Sequence, residues 1–124
     1  MPKPLNIAAT RDTPAIRADE KTGEIVISGQ SYPLNAASVY EPILAWIDEY
    51  WVEDKPLVIT FHLTYFNTST SKYLLNIIKK SEMGYEKGKS VVINWKYDQD
   101  DDDMLESGED FKEMCAAPFN LVPQ

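Results

Sequence analysis

The run of residues 57–75 restricts the fold most strongly, because its pattern changes twice within a short distance. Apolar and β-branched residues from Leu57 to Phe66 are followed by small polar residues at 67–71, and apolar residues then return at helical spacing. The first part is typical of a strand that is covered on both faces in the middle of an α/β sheet. The sequence therefore predicts a strand, a hydroxyl-rich turn and a helix in succession.

The predicted helix places the hydroxyl cluster at its N-terminus. Its apolar residues recur every three or four positions, lysines follow in the predicted last turn, and Gly84 is the predicted stop. A helix N-terminus carries unpaired N–H groups and a partial positive charge, which stabilise a nearby carboxylate or phosphate by roughly 0.3–1 kcal/mol. Residues 67–71 can therefore hold a phosphorylated hydroxyl.

Length and charge limit the class of protein. With 124 residues, 44% of them hydrophobic, we expect one domain over residues 1–124. The 12 Lys and Arg against 20 Asp and Glu give a net charge of −8, which repels nucleic acid and anionic membranes, so the expected partner is a protein. A single cysteine, Cys115, and the lack of a secretory signal or long apolar run in the sequence favour the cytoplasm.

The first half of the chain predicts an arm, a hairpin and a helix. Residues 1–13 are expected to form a loosely held arm. The alternating segments Ala15–Asp19 and Glu24–Ser28 flank a short glycine-containing turn, which is typical of a β-hairpin. A loop of residues 29–35 leads to Ser38, where a glutamate three positions later completes a capping box that predicts the start of the first long helix.

The second half continues the alternation of strands and helices. A β-rich run at 90–97 and an acidic segment at 98–103 precede a helix over 104–115, in which 107–108 is a candidate break, and a last strand at 118–122. Strand–helix–strand passages favour parallel pairing with right-handed crossovers. The predicted fold is α/β: a mixed, mostly parallel sheet of about five strands, opened by the hairpin, with helices packed on it.

These motifs resemble known regulatory proteins. A hydroxyl cluster at a helix start within a ββαβαβα chain looks like the STAS domain of anti-sigma-factor antagonists, in which a Ser or Thr at that turn is phosphorylated. More specifically, the chain is similar to the SiaC family of bacterial regulatory phosphoproteins over nearly its whole length. The segments that carry this resemblance are Tyr65–Leu74, Gly29–Pro33 and Gly108–Phe111.

The resemblance implies a partner switch with no chemistry of its own, so no catalytic residue is expected. In that family a kinase of the anti-sigma-factor type phosphorylates one threonine and a PP2C-type phosphatase removes the phosphate. The unphosphorylated form binds and activates a diguanylate cyclase, which raises cyclic-di-GMP and promotes biofilm formation or aggregation. Thr68 matches the phosphoacceptor, and its motif neighbours are Asn67, Ser69, Thr70, Ser71 and Lys72.

Two alternatives at the turn stay open. By inspection the acceptor is Thr68, Ser69 or Thr70, and Asn67 or Thr68 in this position is also typical of a simple N-cap. A STAS-like antagonist that binds a kinase without a cyclase target fits the same pattern.

The acidic segment offers a different class of function, metal binding. Four carboxylates between Asp98 and Glu109 match ligand positions of an EF-hand loop, but Asp103 stands where the sharp turn requires glycine, and a strand precedes the loop. The simpler interpretation is a solvated acidic loop, whose last residues, Asp102 and Asp103, stabilise the N-terminus of the next helix. His62 and Cys115 are expected to be packed residues, and no Walker or dinucleotide glycine loop occurs, so neither metal nor cofactor is expected.

Overall fold

The strands follow one another in space in the same order as in the chain. The structure, a computed structural model, describes residues 2–124, which form a six-stranded sheet and three helices. The strands are β1 (Leu5–Ile7), β2 (Ala15–Asp19), β3 (Glu24–Ser31), β4 (Leu57–Phe66), β5 (Val91–Tyr97) and β6 (Phe119–Pro123). The helices are α1 (Ala36–Tyr50), α2 (Thr68–Glu86) and α3 (Asp102–Glu113).

The pairing direction changes once across the sheet. β1, β2 and β3 pair antiparallel, whereas β3, β4, β5 and β6 pair parallel. Because spatial order follows chain order, right-handed crossovers place α1, α2 and α3 on the same face of the sheet. The predicted α/β fold, with a mostly parallel sheet opened by a hairpin, is confirmed, and the described residues give it six strands instead of about five.

The core lies between this face of the sheet and the helices. Two rows of buried side chains run in register across the strands: Ile25, Ile59, Ile93 and Phe119, and then Ile27, Phe61 and Trp95. Buried residues of α1 and α2 belong to the same cluster. The junction between β4 and α2 therefore rests on closely packed elements on both sides.

The N-terminal segment corrects one prediction. Residues 1–13 were expected to form a loosely held arm, but Leu5–Ile7 pairs with β2 as an edge strand, and the indole Nε1 of Trp46 donates to the carbonyl of Lys3 at 2.9 Å. Met1 lies outside the described residues. A strand of three residues is too short to leave a clear alternation in the sequence, so its pairing partner decides its conformation.

The start of α1 was also predicted wrongly. β3 continues to Ser31, with an irregularity in its pairing between Gly29 and Gln30, so only the last part of the expected loop is a loop. The helix then begins at Ala36, because the side chain of Asn35 accepts from the Ser38 N–H at 3.3 Å. Asn is as good an N-cap as Ser, and here the earlier residue takes the role.

Two glycines that resemble helix stops lie inside helices. Gly84 was the predicted end of α2, and Gly108 was part of the candidate break in α3, yet both helices continue past them. A Cβ on Gly84 would lie 2.3 Å from the ring of Trp51, and one on Gly108 would lie 2.4 Å from the ring of Trp95. Each glycine allows an indole to pack directly against the helix backbone.

Candidate functional site

The predicted strand, turn and helix are confirmed, with Asn67 as the single residue between β4 and α2. The Asn67 side chain caps the helix: its Oδ1 accepts from the backbone N–H of Thr70 at 3.0 Å and from the hydroxyl of Ser69 at 3.1 Å. Thr68 is therefore the first residue of the helix. Of the two candidate N-caps, Asn67 takes the role, so the hydroxyl of Thr68 does not cap the helix.

Exposure divides the hydroxyl cluster. Thr68, Ser69 and Lys72 are exposed, and Ser71 is half-buried. Thr70 is 0% exposed. A kinase must reach a hydroxyl to modify it, and in this fold the residues Thr68 and Ser69 are accessible whereas Thr70 is not.

A chain of buried hydroxyl groups lies beneath the start of α2. The Ser31 hydroxyl is 2.7 Å from the Tyr40 hydroxyl and 2.9 Å from the Thr70 hydroxyl, and Thr70 donates to the Ser31 carbonyl at 3.1 Å. Each hydroxyl has one proton, so donation by Thr70 requires Ser31 to donate to Thr70 and Tyr40 to donate to Ser31. The three hydroxyls thus tie α1, β3 and α2 together.

Tyr40, at the end of this series of hydrogen-bonded hydroxyls, keeps its proton. Burial raises the pKa of Tyr40 to about 12, so the hydroxyl is a donor at neutral pH. The Asn67 N–H also donates to the Ser31 carbonyl, at 3.0 Å, which fixes the turn to the end of β3. Sequence reasoning assigned no role to Ser31 or Tyr40, although Ser31 lies in one of the segments that carry the family resemblance.

The start of α2 has no acidic side chain in its first turn, which lies entirely within the described residues. Lys72 adds an exposed cation one position beyond the hydroxyl cluster. A helix N-terminus without a carboxylate leaves its partial positive charge available to an added anion. The site can therefore accept a phosphate without displacing an existing charge.

Two exposed apolar side chains lie on the segments that follow β3 and end β4. Leu34, in the loop that follows β3, is completely exposed, and Tyr65, near the end of β4, is 52% exposed. The Tyr65 ring meets that of Tyr32 edge-on, with centroids 5.8 Å apart. We call Tyr32, Leu34, Tyr65, Thr68 and Ser69 the turn surface, since all of them lie at or next to the carboxyl ends of β3 and β4.

The other candidate residues have structural roles. His62 Nε2 lies 3.2 Å from Asp98 Oδ1, at a partly exposed position. Cys115 is half-buried, and burial raises the pKa of its thiol, which disfavours the nucleophilic thiolate. Asp101 caps α3, and Asp102 lies in its first turn, as predicted for the end of the acidic segment.

Residues 2–124 contain neither a metal-binding group of side chains nor a membrane-spanning helix. Among residues 2–124, no three His, Cys, Asp or Glu side chains lie in a group that could hold a metal ion. Over the same range, no helix combines the length and the apolar character needed to cross a membrane.

Comparisons of sequence relate this chain to one group of proteins. A family model described as SiaC family regulatory phosphoprotein matches residues 7–124. An uncharacterised protein of Pseudomonas aeruginosa strain UCBPP-PA14 is 32% identical over 118 residues, which cover 94% of this chain and 94% of that protein.

Comparisons of structure agree. The crystal structure of apo-SiaC from Pseudomonas aeruginosa matches with a TM-score of 0.91 and 30% identity, covering 97% of this chain and 98% of that one. A chain in the crystal structure of the diguanylate cyclase SiaD in complex with its activator SiaC, from the same organism, matches with a TM-score of 0.93 and 30% identity, covering 97% and 99%. These matches extend over almost the whole fold.

Proposed function

Because the chain belongs to the SiaC family of regulatory phosphoproteins, we propose that it is a phosphorylation-controlled partner switch whose unphosphorylated form binds and activates a diguanylate cyclase. The observation that carries the proposal is an exposed hydroxyl, on Thr68, at a helix N-terminus without acidic side chains. The proposal treats residues 1–124 as one regulatory domain, which the continuous sheet supports.

Thr68 is the proposed phosphoacceptor. Its hydroxyl is not used for capping, whereas the hydroxyl of Ser69 donates to Asn67. Thr70 is buried and hydrogen-bonded. Asn67, Ser69, Ser71 and Lys72 are then proposed as neighbours that an enzyme or partner contacts, and Thr70 as a residue that supports the turn from below.

The phosphate changes the turn without changing the fold. It adds a charge of about −1.5 to −2 at neutral pH and three strong acceptor oxygens. In the free protein, the unpaired N–H groups at the start of α2 stabilise this charge. In a complex that buries the turn surface, the same charge loses its water, and an uncompensated buried charge costs several kcal/mol. About 2.8 kcal/mol is already a hundredfold in affinity.

We propose that the cyclase contacts the turn surface. Leu34 and Tyr65 offer exposed apolar area at the carboxyl ends of β3 and β4, where Thr68 also lies, and aromatic side chains are enriched in protein interfaces. A pocket of about 280 Å³ opens beside Tyr65, and its lining combines Phe66 and Met104 with the carboxylates of Asp101 and Asp103.

The remaining components follow from the family. A Ser/Thr kinase of the anti-sigma-factor type adds the phosphate, a PP2C-type phosphatase removes it, and the protein itself performs no chemistry. The proposed output is a change in the level of cyclic-di-GMP, which in turn controls biofilm formation. The cytoplasm is the proposed location, where the single, unpaired Cys115 is compatible with reducing conditions.

The site of modification is tested with the cognate kinase, ATP and mass spectrometry. Wild type and Ser69→Ala are expected to gain one phosphate, and Thr68→Ala none. Cyclase activity is then measured with each protein before and after treatment. Activation that is lost on treatment of wild type and Ser69→Ala, but kept by Thr68→Ala, supports the proposal. Phosphate on Ser69, or a kinase that binds without any effect on a cyclase, contradicts it.

A further inference from the structure

A second surface, away from the start of α2, combines positive charge with exposed apolar side chains. α1 and the second half of α2 border a groove of about 450 Å³. We call it the lysine groove. Its lining includes Lys79, Lys80, Lys87 and Lys89 together with Leu44, Trp51 and Met83.

The charge of the lysine groove is opposite to that of the chain. Four of the 12 Lys and Arg residues lie here, although the net charge is −8, and Asp48 is the acidic residue of the lining. The negative end of the α2 dipole favours a lysine at the C-cap, where Lys87 lies. Lys79 and Lys80 precede the last turn of the helix. Lys79 Nζ donates to the carbonyl of Met114, the C-cap of α3, and Lys80 pairs with Asp48.

Two of the lysines, Lys80 and Lys89, are held by contacts that a partner can replace. Lys80 Nζ lies 2.6 Å from Asp48, and Lys89 Nζ lies 3.9 Å from Asp54, with both carboxylates mostly exposed. Such exposed pairs contribute about 0–1 kcal/mol each. Carboxylates of an incoming segment can therefore take their place with little loss.

The floor of the lysine groove is apolar and fixed. Gly84 lets the ring of Trp51 lie directly against α2, and Lys89 Nζ is 5.7 Å from the centre of that ring. Met83 is 59% exposed beside it. A ligand with charge alone would leave this apolar area in water, so a matching ligand carries apolar side chains as well.

We propose that the lysine groove binds an acidic segment of a protein partner that also carries apolar side chains. At 1.5 Å per residue, Lys79 and Lys87 lie about 16 and 28 Å along α2 from Thr68. Both distances exceed the Debye length of about 8 Å at physiological salt. The groove is therefore expected to hold its partner in either state of Thr68, which gives the protein a docking site that the switch does not control.

The probe is a labelled helical peptide of glutamate and leucine, titrated with the full chain and followed by fluorescence anisotropy. The double variant Lys80→Gln/Lys87→Gln is expected to weaken binding about tenfold and to reduce its salt dependence, since two charge contacts are lost. The control Lys21→Gln/Lys112→Gln removes the same charge from exposed positions outside the groove, and Thr68→Asp changes the other end of α2. Both are expected to change binding less than twofold.

Other outcomes overturn the proposal. They are no binding of the peptide, equal weakening by both double variants, or equal binding of a lysine–leucine peptide. Single-stranded DNA that competes as well as the peptide would make the groove a nucleic-acid site instead. Loss of binding in Thr68→Asp would contradict its independence from the switch. Melting temperatures of all variants confirm that they are folded, and Lys87→Gln alone, at the exposed C-cap, provides a milder test.

Discussion

The starts of α2 and α3 share the same capping hydrogen bond but differ in charge. Asn67 caps α2 by accepting from the Thr70 N–H at 3.0 Å, and Asp101 caps α3 by accepting from the Met104 N–H at 3.0 Å. The first turn of α3 adds two carboxylates, whereas the first turn of α2 adds only neutral hydroxyl residues. Negative charge stabilises a helix start. The side chains at the start of α3 supply it permanently, whereas those at the start of α2 supply none.

The difference shows how a stable fold can carry a reversible charge. α3 is anchored from below by Trp95, whose Nε1 donates to the Met104 carbonyl at 3.0 Å. α2 is anchored by the hydroxyls of Ser31, Tyr40 and Thr70. Because these hydroxyls hold the start of α2 without any ionic group, a phosphate can be added or removed above them while the helix stays in place.

The largest effect is expected when the start of α2 is given a negative charge, as the start of α3 already has. Thr68→Asp places a carboxylate there, and we expect its affinity for the cyclase to fall by about a hundredfold, because the proposed interface buries this charge. Neutralising Asp102 in the first turn of α3, which lies outside the pocket beside Tyr65, with Asp102→Asn is expected to change that affinity less than threefold. Isothermal titration calorimetry compares the two, and equal effects would show that total charge, not its position, decides binding.

The next largest effect concerns the support beneath α2. Thr70→Val leaves the Ser31 hydroxyl without its acceptor in a buried position, and we expect it to lower the free energy of unfolding by about 1–3 kcal/mol. Ser69→Ala removes an exposed hydroxyl one position away and is expected to cost about 0.5 kcal/mol or less. Urea unfolding curves measure both. Similar values for the pair would mean that the buried hydroxyls do not anchor the helix.

The same support predicts a pH dependence. The pKa of Tyr40 is about 12 in the folded protein, whereas an unperturbed tyrosine has a pKa of 10.0. Its contribution to the free energy of unfolding is therefore complete below pH 10 and is lost as the pH rises towards 12. Between pH 9 and pH 11 the stability of wild type is expected to fall by about 1–1.5 kcal/mol more than that of Tyr40→Phe. Parallel curves for the two proteins over this range would contradict the assignment.

The smallest effect separates the two caps. Asn67→Ala and Asp101→Ala each remove one acceptor from a helix start, and we expect each to cost about 1 kcal/mol of unfolding free energy. Only the cost of Asp101→Ala is expected to shrink in 1 M salt, since screening weakens the interaction of a charge with the helix dipole. Thermal unfolding at two salt concentrations tests this, and an equal salt response of the two variants would remove the distinction.

Local patterns in the sequence were sufficient for the strand, turn and helix around Thr68. The change from β-branched residues to small polar ones, and then to helical spacing, lies within one continuous stretch of chain. The pairing of β1 was not predictable in this way, because three residues carry little pattern and their partner β2 lies elsewhere in the chain. Local pattern also failed at Gly84 and Gly108, since a glycine that ends a helix and a glycine beneath an indole look alike in sequence.

The candidate site shows the same division. The sequence identified the hydroxyl cluster, and the family resemblance indicated Thr68 as the acceptor, but inspection of the residues left Thr68, Ser69 and Thr70 open. Only the fold shows that Thr70 is buried against Ser31 and that Asn67 caps the helix, because both depend on how β3 and α1 meet the start of α2. The exposure of Leu34 likewise follows only from the fold, because it depends on what covers the loop after β3.

The most direct test of the switch uses the phosphate itself. Wild-type protein that is fully phosphorylated at Thr68, as verified by mass spectrometry, is titrated into the cyclase beside a portion of the same sample treated with the phosphatase. The account predicts that the phosphorylated protein binds at least about a hundredfold more weakly and that treatment restores full affinity. Equal affinities for the two portions would contradict it.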